Sequence, residues 1–321
     1  MPLLKKLRLV AVIQEAALGT GLTGAIADFE AWDVKYTPSI EYIERGDLGS
    51  LSPPPGHTGQ ATGQVTFKTY FRGSASVGTP ALYLERLFPM VNYAQALQVF
   101  SPSGLAPAAG GPTAVVPITG TISSYEAGLK KTISGAMGSA KLIMTAGQPI
   151  VMEWTFSGRY EGIAAAVPVI DATLVAQTLS EAAGAAMKFS EATISFTGGT
   201  LGCIESMTLD LGNQVTVRPC ASEKTGMGYA AITGRKVTGT MNPESALTTT
   251  AANYLGWQND TDAALSIAVA GGGTTCTITA PVCRRTNIQD GERNGIQTDE
   301  IDFMCHKSAT VGNDELIFTF T

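Results

Sequence analysis

The stretch Val151-Met152-Glu153-Trp154-Thr155-Phe156-Ser157-Gly158 alternates apolar and polar side chains with a period of two. That spacing fits a strand with one buried face. The same order of apolar residue, carboxylate and aromatic returns near the C-terminus, where Ile301-Asp302-Phe303 echoes Met152-Glu153-Trp154. Each copy follows a short strand-like run and a glycine-bearing turn. A chain of 321 residues has room for about two domains, each with its own core. The echo therefore raises the expectation of a duplicated β unit.

The rest of the chain can be laid out in the same order twice. In the first half, Glu30–Tyr36 and Ile40–Glu44 read as strands, Gln64–Phe71 as another, and Thr79-Pro80 as the start of a short amphipathic helix through Phe88. Thr119–Tyr125, Leu129–Met137 and Ala140–Thr145 then lead to the opening stretch. In the second half, Ser206–Arg218 stands for Asp33–Glu44, and Gly234–Met241 for Gly59–Phe67. Thr250–Trp257 stands for the helix, and Leu265–Ala270 and Thr274–Val282 lead to Glu300–Cys305. A further strand, Glu315–Thr321, closes the chain. Between the halves, the Ala-rich run 163–187 reads as a connector, partly helical from Ala172 to Ala183. Residues 5–13 read as a short strand or an extended arm. Arg45 to Gly63, with Pro53-Pro54-Pro55, reads as a long loop or arm, because consecutive prolines donate no ladder hydrogen bonds.

Composition supports many short strands and excludes several functions. Only 15% of residues are charged and 36 are glycine. Residues 1–165 carry 12 Lys/Arg against 11 Asp/Glu, whereas residues 166–321 carry 9 against 16. No Lys/Arg cluster with interleaved aromatics offers a phosphate-binding surface. The five cysteines (Cys203, Cys220, Cys276, Cys283, Cys305) include no C-x-x-C pair, and their odd count and low density do not suit a secreted disulfide framework. Leu9 to Ile13 is too short for the apolar part of an export signal. Ile163 to Met187 is interrupted by Pro168, Asp171 and Glu181, so it does not read as a membrane span.

Candidate sites are few and weak. Gly19-Thr20-Gly21-Leu22-Thr23-Gly24 fits the dinucleotide pattern G-x-G-x-x-G. The mechanism behind that pattern needs a strand ending at the first glycine and a helix starting inside the motif. Here Gln14–Leu18 intervenes and Asp28–Tyr36 reads as strand, so a flexible arm is the better account. The two histidines, His57 and His306, lack a nucleophile elbow or an H-E-x-x-H helix. Glu41/Glu44 and Asp299/Glu300/Asp302 contain the carboxylates needed for metal or glycosidase chemistry. Period-two carboxylates on a strand more often serve solvation. No catalytic, cofactor-binding or metal residue is assigned, and the chain reads as no enzyme.

From Met207-Thr208-Leu209-Asp210-Leu211-Gly212-Asn213 through Ile232-Thr233-Gly234-Arg235-Lys236-Val237-Thr238-Gly239-Thr240, the chain resembles the two-domain tail tube (major tail) proteins of long-tailed bacteriophages. Leu48–Pro54, Glu153–Tyr160 and the closing Gly312–Phe320 carry the same resemblance, in order along nearly the whole chain. The loop at 52–56 is longer and the cysteine count unusual for such proteins. The resemblance implies a mainly β fold with two tandem tube domains of sandwich or barrel type, each with one short helix, plus extended arms and loops. The expected division is an N-terminal arm at 1–27, a first tube domain at 28–165, a linker at 166–187 and a second tube domain at 188–321.

The function that follows is structural. Trimeric rings with pseudo-sixfold symmetry would stack into a tail tube through which DNA passes without specific binding; a true hexamer with an outer second domain is the alternative. Tape measure, tail terminator and baseplate or tail tip proteins are the partners implied, with assembly in the host cytoplasm, location in the virion tail and no membrane. No cofactor is implied. A surface-exported β-sandwich adhesin or ligand-binding module is the competing reading.

Overall fold

A computed structural model describes residues 8–16, 18–19, 27–28, 31–46, 54–74, 76–103, 106–108, 111–113, 117–126, 129–165, 183–196, 201–308 and 313–321. The fold is mainly β. In the first half the strands are β1 (Arg8–Gln14), β2 (Ala27–Asp28), β3 (Trp32–Ile43), β4 (His57–Tyr70), β5 (Arg72–Ser74), β6 (Tyr93–Ala96), β7 (Val99–Pro102), β8 (Ala106–Ala108), β9 (Gly111–Thr113), β10 (Gly120–Glu126), β11 (Leu129–Thr145) and β12 (Val151–Ala165). The second half has β13 (Ala183–Ala186), β14 (Lys188–Phe196), β15 (Ile204–Asp210), β16 (Asn213–Pro219), β17 (Met227–Arg235), β18 (Thr238–Pro243), β19 (Ala263–Gly271), β20 (Thr274–Arg293), β21 (Ile296–His306) and β22 (Ile317–Phe320). Helix α1 (Leu82–Met90) follows β5, and helix α2 (Leu247–Gln258) follows β18.

The strand order of the first half recurs in the second. In space the first runs β1–β10–β11–β12–β4–β3, and the second runs β14–β19–β20–β21–β18–β15, with every neighbouring pair antiparallel. The echoed segments, Met152-Glu153-Trp154 on β12 and Ile301-Asp302-Phe303 on β21, occupy the same place in that order. Trp154 and Phe303 are both fully buried. One strand differs. β12 pairs with β11 along almost its whole length, whereas β20 takes β21 at Val282–Arg293 and β22 at Cys276–Thr279. The closing strand therefore fills the place that the second part of β12 fills in the first half.

The halves also share one sheet and one core. β15 adds to the end of β11, with Lys141 opposite Asp210 and Thr145 opposite Ser206. This gives a continuous run of eight strands, β3–β4–β12–β11–β15–β18–β21–β20, four from each half. A second connection passes from β20 through β22 to β7, pairing Phe318 with Phe100. Around it, the Phe88 ring lies 4.6 Å from Phe100, 5.1 Å from Phe318 and 5.8 Å from Trp154, and Phe71 lies 5.8 Å from Phe320. These buried aromatics come from both halves, and each carries roughly 150–250 Å² of surface, enough to bind the two sheets together.

Several local expectations shift. Glu30–Tyr36 and Ile40–Glu44 merge into β3, where Asp33 takes a positive φ of 52° at a register irregularity. Leu129–Met137 and Ala140–Thr145 merge into β11, which bends at Gly135 (φ 56°) and slips register between Ser134 and Met137. The expected loop 45–63 is shorter, because His57–Gly63 belongs to β4 and pairs with Pro38–Ile43. Residues 47–53 lie outside the described residues.

Helix α1 begins after an extended Ala81 with no side-chain cap, so Thr79-Pro80 does not open it; Pro80 instead bridges to Gly73. Helix α2 starts at Leu247, earlier than Thr250. Of the segment 1–27, Arg8–Gln14 forms β1, with Val10 and Val12 buried, and β2 takes Ala27. Most of the rest of that segment, and residues 166–182 with their expected helix, lie outside the described residues.

Candidate functional surface

The eight-stranded run has two unlike faces. Val65, Phe67, Met152, Trp154, Phe156, Leu142, Met144, Leu209 and Phe303 point into the core, and the alternate residues point away from it. The outward face is polar and its charges are ordered by register. One row crosses seven strands as Lys68, Glu153, Lys141, Asp210, Thr238, Met304 and Arg284, each opposite the next. Opposite charges directly across a strand pair attract, each pair contributing roughly 0.2–1 kcal/mol. Lys68 also forms an ion pair with Asp33 at 3.1 Å. In the neighbouring row, Thr208 and Thr240 share a hydrogen bond of 2.8 Å, and Asn287 donates to Asp302 at 3.3 Å. Lysines 68 and 141 thus each face a carboxylate across a strand, and the surface presents little uncompensated positive charge.

The junction between the halves is built as carefully as the core. After β15, the chain turns at Gly212, where Asp210 accepts the Gly212 amide at 2.8 Å. The φ of 59° at Gly212, with the Lys236 carbonyl crowding the position of a Cβ, requires glycine there. The hairpin β16–β17 then lies across the first half. Asn213 donates to the carbonyls of Gly138 (3.0 Å) and Val91 (2.8 Å), while Met227 and Ala230 are buried beneath the hairpin. At its far end Arg159 reaches Glu223 at 2.6 Å and the Gly19 carbonyl at 3.0 Å. Beside it, the buried Glu15 carboxylate accepts from Thr119 (2.7 Å), Thr121 (2.7 Å) and the amides of Gly135 and Gly19 (both 2.8 Å). A buried charge persists only with such a full set of donors.

The two ends of the run are open. Among the described residues β3 pairs only with β4, leaving its other edge without a strand, and Thr37–Ile43 is exposed throughout. Ile40, Tyr42 and Ile43 are 48%, 62% and 49% exposed. At the other end, β19 leaves β20 at Cys283, and among the described residues the β20 edge opposite β21 carries no strand from Arg284 to Arg293.

The residues weighed for chemistry are dispersed or already occupied. Glu41 accepts the Gln60 amide on the exposed β3–β4 hairpin, and Glu44 lies exposed beyond it. Asp299 is buried and spends both oxygens on Ser245 (2.6 Å) and Thr250 (2.8 Å) at the start of α2. Glu300 and Asp302 belong to the polar face. His57 begins β4 and His306 ends β21. Gly19 is held by Glu15 rather than by a helix start, and Gly21 and Gly24 lie outside the described residues.

Cys276, Cys283 and Cys305 are buried, and Cys203 and Cys220 reach the surface, all as free thiols. Burial pushes the Cys276 thiol well up from its ordinary value. Among the described residues no three His, Cys, Asp or Glu come together as a metal site, and no helix is long and apolar enough to cross a membrane. A cleft of about 380 Å³ beside Phe189, Leu201 and Ile204 is lined by one carboxylate, Glu191, together with Ser190 and Cys203. Sequence patterns did not reveal the charge row, Glu15 or Arg159, because all three depend on which strands become neighbours.

Comparison with known families agrees with this architecture. The model of the phage tail tube protein family matches residues 6–305. No curated protein matches the chain. The chain belongs to the phage tail tube protein family, and is accordingly a structural component of the virion tail.

Proposed function

We propose that this tail tube protein assembles as trimeric, pseudo-hexameric rings that stack into the conduit for DNA delivery. The two tube units are 28–165, to whose sheet β1 (Arg8–Gln14) adds a buried strand, and 188–321, joined by the linker 166–187. The eight-stranded run carries this reading, because it already holds two repeats side by side and ends in two open edges. Three copies complete six repeats. Closing the sheet removes every exposed edge, which on a lone chain is an aggregation hazard.

The polar face lines the lumen. Lys68 and Lys141 stand opposite carboxylates and Arg284 pairs with Asp262 at 2.6 Å, so passing phosphates find few sites at which to displace counterions and stick. The Lys68–Glu153–Lys141–Asp210 row supports this assignment. Stacking is a heterologous contact that repeats along the tube, and segments that order on binding serve it well. Tape measure, terminator and baseplate or tail tip proteins complete the tail, with assembly in the host cytoplasm. Electron microscopy of the purified chain over a concentration series tests the reading. Rings or tubes with a central channel and six lobes are expected, and monomers at every concentration, even after seeding, would overturn it.

A further inference from the structure

The internal join between β11 and β15 has a vacant counterpart at each end of the chain. β11 and β20 hold the same place in the two halves, as do β15 and β3. β11 carries β10 on one part of its edge and β15 on the next; β20 carries β19 on the first part and, among the described residues, no strand on the second. We infer that the open β3 edge of one copy, along Trp32–Lys35, adds antiparallel to the open β20 edge of the next copy, along Asn287–Asp290. This inference rests on the tube reading and specifies the contact that closes its rings.

The register follows from the shared order. Lys141 stands opposite Glu153 on β12 and Asp210 on β15, and Asp210 stands opposite Thr238 on β18. In the second half Asn287 stands opposite Asp302, the carboxylate of the echoed triplet. On β3, Lys35 stands opposite Thr66, which in turn faces Thr155 as Thr238 faces Met304. Lys35 of one copy therefore takes the place beside Asn287 of the next that Asp210 takes beside Lys141 within one chain. The charges suit the exchange. The receiving edge and its neighbour carry Asp290, Glu292, Glu300 and Asp302, with Arg284 and Arg293 already paired to Asp262 and Glu244, and the arriving strand brings Lys35 beside an Asp33 already paired to Lys68.

Two further features agree. The internal join covers Ser206–Asp210 and stops where the chain turns at Gly212. The β3 edge has its own stop at Pro38, which has no amide hydrogen to donate. Beyond the internal stop, the β16–β17 hairpin lies on the first half and buries Met227 and Ala230. Beyond Pro38, the β3–β4 hairpin meets its own chain at Ala61, whose carbonyl accepts from Thr225 at 3.4 Å, while its β3 side leaves Ile40, Tyr42 and Ile43 exposed. The second half of the next copy supplies the missing surface, so the two seams differ only in whether the chain is continuous across them.

The test is directed cross-linking in the full-length chain with Cys203→Ser and Cys220→Ser. Lys35→Cys and Asn287→Cys are made separately and together, and each variant is checked for an unchanged thermal midpoint. After mild oxidation under assembly conditions, a mixture of the two single variants should give covalent dimers, neither alone should, and the double variant should give a ladder ending in a closed ring. Asp33→Cys and Thr37→Cys cover neighbouring registers. Tubes visible by electron microscopy without a cross-link to Asn287→Cys from any of these three β3 positions would overturn the seam alone. A Lys35→Cys chain that cross-links to itself would also overturn it, since the contact would then be symmetric. Failure of every variant and of the unmodified chain to assemble would overturn the seam and the tube reading together.

Discussion

The hairpin β16–β17 and the outer part of the β3–β4 hairpin occupy the same place in the two halves, yet one is packed and the other is exposed along its β3 side. The first lies across strands of its own chain, fixed by Asn213, Met227, Ala230 and the Arg159–Glu223 pair. The second projects with Ile40, Tyr42 and Ile43 in the open. Sequence preference alone does not separate them, since both are strand pairs of ordinary composition. What separates them is supply: the chain contains one first half for β16–β17 to rest on and no further second half for β3–β4. In the proposed ring, a repeat that completes its neighbour within the chain and lacks that neighbour at the end is met there by another copy.

The comparison can be broken most strongly through the core. Trp154→Ala removes the largest side chain shared by the aromatic cluster and should cost about 3–5 kcal/mol. Because Phe318 and Phe320 pack into the same cluster, denaturant unfolding of the chain should remain one transition at a lower midpoint. A first-half transition that separates from an unaffected second one would contradict a shared core.

Glu15→Ala tests the junction under the packed hairpin. It removes the carboxylate that accepts from Thr119, Thr121, Gly135 and Gly19 and should cost about 2–3 kcal/mol, read by the same unfolding experiment. The equivalent test of the exposed hairpin is Ile40→Thr with Ile43→Thr. Here the chain's own stability should move by no more than about 0.5 kcal/mol, as for other exposed sites. The concentration needed for assembly should rise about tenfold, equivalent to about 1.4 kcal/mol. A large loss of chain stability with unchanged assembly would reverse the roles assigned to the two hairpins.

The smallest effect concerns pH. Burial pushes the Tyr93 phenol above its ordinary value of 10.0, with the nearby Arg235 guanidinium acting in the opposite direction. A raised folded value means the stabilisation is full below pH 10.0 and is lost as pH rises beyond it. Tyr93→Phe should be near neutral at pH 7 and should flatten that alkaline loss in thermal midpoints measured from pH 8 to 11, with buried Cys276 leaving a residue of it. An unchanged alkaline limb would remove Tyr93 from the account.

Much of the fold was legible because period-two alternation reports a buried face directly, as at Met152–Phe156 and Ile301–Phe303. The order of elements was legible too, helix included. Helix starts were not, since Ala81 and Ala246 cap through backbone alone. The closing strand was legible at Glu315–Thr321, but its pairing with β20 was not, since the strands on either side of it take no part in that sequence pattern. The polar face lay in the sequence as alternate residues. Its charge row became visible only once strands as distant as β4 and β20 were placed in register. Pro38 within β3 was the available sign of an edge strand, and the two-strand expectation at 30–44 hid it.

The central claim is that one chain supplies two sixths of a ring. Native mass spectrometry of rings released from tubes, paired with their class averages, tests it most directly. The account predicts three copies of the 33.4 kDa chain in a ring with six lobes. A ring of six copies, with the second half outside the barrel, would contradict it.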